Sequence, residues 1–479
     1  MLDRQSGHLR VLLLLLVFGI VIGVAVGALL FLLPPAPYGL ADDYRVFYGA
    51  ARVVGAGANP YSQSVLRAAE QAAQHYPHLQ PALDTFVNPP FVAWLLLPIA
   101  ALPFWASYGL FTLGGLLVLG VAVPPLARDL GWRHWPALLA AVVLGWIGML
   151  GFVSGQFDAV LAAALAGAMV LAWRGRGGWA GLVLTAIWIK PDLLWPAPIF
   201  LVLALWPERP RALRAGAGFA AGTAVIWLLQ AAVARPLLGA WWAQLRTFAG
   251  QVGRAQPDLS GLPGLLGAAP HAWHLGLGFH GPATVALAGL GLVAMAVFGW
   301  WMARGRDWAR VTRVGRVGWG VALPVGLWLL VAPYAHPNDD LLLLPLLLLT
   351  IGRDARRVHG FGLIGSVALL VLFGLVWPLG LIPPPAALLL TVVVAAVLWW
   401  RRTDPRLTGL GTGLAVLALV TLPVVYQFHT LPVGLTPLAV AVLCVEGART
   451  VWIEVGGAGT GPAYASEPTA PGASLPAGA

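Results

Sequence analysis

Between Val11 and Leu33 the chain carries no charged side chain. A run of that length crosses the hydrocarbon of a bilayer as one helix, at about 1.5 Å of rise per residue. Further apolar runs lie at 104–126, 135–153, 157–173, 215–233, 282–302, 319–332, 341–351 (short for a crossing), 361–377, 386–400, 407–426 and 432–445. One further apolar stretch, 179–206, is interrupted at its middle by Lys190, Pro191 and Asp192, which predicts a break or a re-entrant turn. The expected fold is therefore all-α, a polytopic membrane protein of about 12–14 transmembrane or re-entrant helices. Residues 1–455 read as a single transmembrane domain, with no convincing internal repeat.

Two stretches break the rhythm. Residues 34–103 form a first external loop, with amphipathic helical pieces around 44–54 and 62–75 and then the apolar NPPFVAWLLLPIAALP. Residues 235–281 form a second external segment. The tail, 456–479, is Gly, Ala, Pro and Ser with little to bury, and is expected to be disordered.

Composition agrees with the pattern. Hydrophobic residues make up 59% and charged residues 10% of the chain, against about a quarter charged in soluble domains. The net charge of +10 does not point to nucleic acid, because the arginines fall in short clusters between apolar runs. Those clusters (128–133, 174–176, 209–214, 304–316, 353–357 and 401–406) mark the cytoplasmic side. By alternation the N-terminus is cytoplasmic, in a plasma (inner) membrane, and the first run reads as a retained helix. A lone cysteine, Cys444, excludes an internal disulfide. One lysine against 27 arginines reflects a GC-rich genome more than binding chemistry.

Orientation sorts the polar residues. Asp42, Asp43, Glu70, Asp84, Gln156, Asp158, Lys190, Asp192, His336, Asn338, Asp339 and Asp340 all fall at the outer ends of apolar runs or in external loops. Ionisable groups at such places are expensive and suggest function, although each alone could simply solvate a helix end. One of Asp42 and Asp43 suffices to cap the helix that follows, and the second acid needs another reason. Asp158 could equally cap the helix after Gly155. Lys190 lies inside a strongly apolar stretch, where a point ammonium suits a phosphate or carboxylate. His336 on a short loop is weak evidence alone. The histidines at 271, 274 and 280 have no nearby acids, so neither a metal nor a cofactor is expected. No glycine pattern opens a helix after a strand, so a soluble nucleotide donor is not indicated.

Taken in order, these segments resemble glycosyltransferase family 87, the polyprenol-phosphate-mannose-dependent mannosyltransferases of the GT-C superfamily. The resemblance spans 41–347. DYRVFYGAARVVGAGANPY is similar to the family's stretch of an acid, aromatics and a later G-x-x-P-Y ending at Tyr61. NPPFVAWLLLPIAALP resembles its apolar re-entrant element, and GQFD (155–158) its GQ-x-N motif, with Asp158 in place of asparagine. IKPDLL resembles its KP motif, and PYAHPNDDLLLLPL its loop with a histidine and an acid before a leucine run.

The resemblance implies an inverting transfer from a polyprenyl-phosphate sugar, which is donor substrate rather than cofactor, to a lipid-linked or glycan acceptor outside the cell. It puts the general base at Asp43, with Asp42 as the alternative. Lys190, with Arg45 or Arg52, would stabilise the leaving phosphate. His336, Asp339, Asp340, Gln156, Asp158 and Tyr61 would shape the sugar and acceptor pocket, Asp339 being favoured over Asp340 by its spacing from Pro333. Trp241, Trp242 and Trp273 could line an acceptor path or anchor the membrane interface. The rival from another class is a transporter or flippase for a lipid-linked solute, which would need ionisable groups near the bilayer midplane. Membrane lipids are expected neighbours, and nothing in the chain fixes an oligomeric state.

Overall fold

The computed structural model describes residues 41–73, 85–130, 146–251, 262, 282–354 and 431–456. The helices expected at 11–33, 361–377, 386–400 and 407–426, and the tail beyond Gly456, lie outside them. Among the described residues all regular structure is helical. Three short helices come first: α1 (Asp42–Gly55), α2 (Gln63–Ala73) and α3 (Pro90–Ala100). Then follow α4 (Phe104–Asp129), α5 (Trp146–Ser154) and α6 (Asp158–Trp173). Past the central break come α10 (Arg209–Val233), α11 (Arg235–Gln251), α12 (Pro282–Arg304), α13 (Arg306–Arg310), α14 (Arg313–Val331), α15 (Leu344–Asp354) and α16 (Leu431–Gly456). Helices α4, α10, α12 and α14 are long and apolar enough to cross a membrane.

The break itself is a hairpin of short arms. Helix α7 (Gly177–Val183) runs into a 3-10 turn, Leu184–Ile189, and the chain returns through α8 (Pro191–Leu194) and α9 (Pro196–Ala204). Pro191 has no N–H and its ring would strike a preceding helical carbonyl, so the first arm must end there. The residue before a proline is pushed out of the helical region, and Lys190 has φ −137° and ψ 78°. The six 3-10 residues rise about 2.0 Å each instead of 1.5, lengthening the arm by roughly 3 Å. The apex therefore reaches the end of the bundle where α6 begins, although neither arm has the length of a full crossing.

Small residues let the first arm pack backbone to backbone on α10. A Cβ on Gly181 would strike the Ala215 carbonyl, and one on Gly218 the Gly178 carbonyl, while one on Gly222 would lie 2.5 Å from Thr185 Cγ2. Without a hydrophobic driving force between helices in lipid, such close approach is a main source of their association.

The bundle has chemically different ends. At one, Glu208 accepts from Arg211, from Arg313 Nε at 2.8 Å and from Arg316 Nη2 at 2.6 Å. Arg313 also donates to the Trp173 carbonyl at 3.1 Å, and Arg174 pairs with Asp129 at 2.9 Å. These bonds tie the ends of α4, α6, α10 and α14 together. At the opposite end α1, α3 and α11 form a layer over the bundle: Tyr44 Oη meets Ser107 Oγ at 2.5 Å, Phe91 N donates to Gln230 Oε1 at 3.1 Å, and Trp241 Nε1 donates to the Val87 carbonyl at 2.8 Å. The expected external loop is thus a helical cap. The segment 235–281, expected to be external, begins as a helix, α11.

Candidate active site

Beneath that layer four separated pieces of sequence converge. Lys190, at the hairpin apex, donates to Asp158 Oδ1 at 3.2 Å and to Asp339 Oδ1 at 2.7 Å. Both carboxylates are buried and the lysine side chain is 15% exposed, so these are low-dielectric pairs. Asp158 is the first residue of α6, and Asp339 lies in the 3-10 turn Pro337–Leu343. Asp339 has a second task. Its Oδ2 accepts from the His336 N–H at 2.7 Å, while the Asp339 N–H is received by the His336 side chain, closing a reciprocal cap. The ring of His336 stands edge-on to Tyr334 at 4.6 Å, and Tyr334 in turn meets Phe248 of α11 at 5.6 Å.

Asp43 enters this field from α1. Its side chain is half-buried, and burial raises its carboxyl above the usual range. A hydrogen bond from Gln156 and the charges of Lys190 and His336 pull it back down, and Asp158 pushes it up. A carboxylate poised above its ordinary value, near a cation and a histidine, is what a general base for a hydroxyl requires. Asp192 lies in the same field as Lys190, His336 and Asp158. Its carbonyl accepts from Trp328 Nε1 at 2.6 Å, fixing the apex against α14.

Two backbone features deliver these side chains. Gly155 has φ +78°, and a Cβ there would collide with Tyr44 Cβ, so glycine is required for α1 to lie against the α5–α6 turn. Ala41, the residue before α1, is the one non-glycine with positive φ (60°) among the described residues. Its N–H donates to the Val153 carbonyl at 2.7 Å, holding the strained entry to the helix.

Several expectations need correction. Neither Asp42 nor Asp43 caps α1: both are inside its first turn, and the N-cap is Ala41 with no side-chain bond. Asp158 is likewise inside α6, whose N-cap is Phe157, and its carboxylate faces Lys190 instead. Tyr61 is buried. Its hydroxyl donates to the Asn88 carbonyl at 2.8 Å, and Asn88 Nδ2 donates to the Ile189 carbonyl at 2.8 Å, so it braces the apex from behind. Arg52 Nη1 donates to the Ala100 carbonyl at 3.4 Å, and Arg45 is buried. Asp340 is buried beside Asp339, but the ion pairs of Lys190 run to Asp158 and Asp339. Trp241 braces Val87, Trp242 is exposed beneath the Arg246 guanidinium, and Trp273 lies outside the described residues.

Asn88 carries no catalytic signal in the sequence, and only its place before a double proline hints at a fixed loop. Among the described residues no group of three or more His, Cys, Asp or Glu side chains could hold a metal ion.

The model of glycosyltransferase family 87 matches residues 86–333, more than half of the chain. That span takes in Gln156, Asp158, Lys190 and Asp192, with Asp43 before it and His336 and Asp339 just after. No curated protein and no solved structure matches the chain.

Proposed function

The chain belongs to glycosyltransferase family 87, and from that premise we propose that this membrane glycosyltransferase moves a hexose, most simply mannose, from a polyprenyl-phosphate sugar to a lipid-linked or glycan acceptor. The observation that carries the reading is the meeting of Asp43, Lys190 and His336 at one end of the bundle, under the helical cap. Asp43 takes the proton of the acceptor hydroxyl as that oxygen attacks the anomeric carbon. The bond from that carbon to the phosphate oxygen breaks, and the lipid phosphate leaves with the electron pair. A single displacement of this kind inverts the anomeric centre. A base in hydrogen-bond reach contributes about a hundred- to ten-thousand-fold.

Lys190 has three N–H donors and uses two on Asp158 and Asp339. The third supports the departing phosphate. Arg45 and Arg52 have no part in this reading. With the arginine-rich end in the cytoplasm, the site opens to the extracytoplasmic face of the inner membrane. The ion pairs lie at the two ends of the apolar runs rather than along a path through the bundle, which favours an enzyme over a flippase.

The test is transfer by the purified protein in lipid, with radiolabelled polyprenyl-phosphate mannose and then its glucose analogue, and identification of the labelled product. Asp43→Asn should lose about a hundredfold or more in rate while remaining folded and inserted. Undiminished turnover by that variant removes Asp43 as the base.

A further inference from the structure

Lys190 stands at the turn of the hairpin, and the peptide planes on both sides of its Cα are pinned. In the plane before it, the Lys190 N–H donates to the Ile187 carbonyl at 3.0 Å, and the Ile189 carbonyl accepts from Asn88 Nδ2 at 2.8 Å. In the plane after it, the Lys190 carbonyl accepts from the Leu193 N–H at 3.3 Å. A peptide unit is rigid, so bonds at both ends of one plane and on the next leave the Cα–Cβ bond of Lys190 little freedom of direction. Two of these bonds are local to the hairpin. The third reaches it from 101 residues away.

Asn88 meets a need that the break creates. In a continuous helix the Ile189 carbonyl would receive the Leu193 N–H, four residues on. Pro191 ends the helix and that N–H turns to Lys190, so the Ile189 carbonyl takes a side-chain donor instead. Asn88 is buried and is itself held on both flanks. Trp241 Nε1 donates to the Val87 carbonyl at 2.8 Å, Tyr61 donates to the Asn88 carbonyl at 2.8 Å, and Pro89 and Pro90 stiffen the backbone that follows. The amide is therefore a fixed donor.

We propose that Asn88 is a positioning residue for the donor: it aims the Lys190 ammonium, so that the N–H left over from Asp158 and Asp339 meets the phosphate of the polyprenyl-phosphate sugar. This rests on the reading of Lys190 as the cation beside that phosphate. Without the Asn88 bond the Ile189–Lys190 plane is free to rotate. The ammonium then keeps its two carboxylates and loses its aim.

The test uses the full chain in lipid nanodiscs, labelled with heavy nitrogen at lysine Nζ. Lys190 is the only lysine in the sequence, so nitrogen NMR shows a single ammonium resonance. Asn88→Leu keeps the branched shape and removes the donor, while Asn88→Asp keeps the outline and sets an oxygen against the Ile189 carbonyl. In both, the resonance should shift by more than its own width; an unmoved resonance in both overturns the positioning role. Farnesyl phosphate should shift the wild-type resonance, and each variant should need about tenfold more of it, the worth of one charge-assisted hydrogen bond. A wild-type resonance that ignores farnesyl phosphate overturns the phosphate contact.

Transfer is then measured with polyprenyl-phosphate mannose as donor and octyl mannoside as acceptor. A reacting group misplaced by about 1 Å costs on the order of a hundredfold, so kcat/KM for the donor should fall by about ten- to a hundredfold. The KM for the acceptor should stay within about twofold of wild type. Equal losses for donor and acceptor would make Asn88 a brace of the fold alone and overturn the proposal. If wild type transfers no sugar while the response to farnesyl phosphate still depends on Asn88, the failure lies with the transfer reading and not with the Asn88–Lys190 geometry.

Discussion

Replacing Lys190 by methionine keeps the length of the side chain and removes the one ammonium shared by Asp158 and Asp339. The carboxylates stay behind in a site where their side chains are 0% and 2% exposed. Breaking a buried pair by removing one partner costs about 3–5 kcal/mol, because the remaining charge loses its compensation and not merely its Coulomb attraction. The two pairs share one cation, so their costs do not add, and about 3–5 kcal/mol is the expected total. Against a typical stability of about 5–15 kcal/mol this is a large fraction. In detergent micelles, melting followed by tryptophan fluorescence should fall by roughly 5–10 °C.

Asp158→Asn introduced into Lys190→Met should recover a large part of this deficit, since only one acid is then left unpaired. Donor dependence, measured per folded molecule, should weaken as well. A Lys190→Met protein that melts like wild type, or a double variant that melts no better than the single one, refutes the brace. Loss of donor use with unchanged melting would instead make Lys190 a phosphate ligand alone.

Three further outcomes follow from the geometry. Burial holds the Asp43 carboxyl above the ordinary range, and a base works only when ionised; the transfer rate should therefore rise with pH through a midpoint higher than that of an exposed aspartate near 3.9, which a pH–rate profile checks. Gly155→Ala forces a Cβ onto Tyr44 in a left-handed backbone, and should cost about 1–3 kcal/mol in melting together with a fall in transfer per folded molecule. Glu208→Gln leaves three arginines crowded at the other end of the bundle, about 24 Å away along α6. It should lower the melting point yet leave transfer per folded molecule unchanged.

The helices were legible in the sequence because the apolar runs have to match a bilayer. The expected 104–126 and 282–302 became Phe104–Asp129 and Pro282–Arg304, and the break at 190–192 fell where Pro191 forbids a continuous helix. The gathering of arginines between apolar runs was legible for the same reason: charges accumulate where apolar runs stop. Caps were misread at Asp42, Asp43 and Asp158, since an acid before an apolar run looks the same whether it precedes the first turn or lies in it.

By itself the sequence determined an all-helical membrane protein, its polar end, and the candidates Asp43, Gln156, Lys190, His336 and Asp339, because length, hydropathy and charge are properties of contiguous residues. Only the tertiary structure decided how they combine. It put Lys190 between Asp158 and Asp339, 32 and 149 residues away in the chain. Pairings over such separations depend on helix packing and on the glycines that allow it, and no local pattern of residue types encodes them.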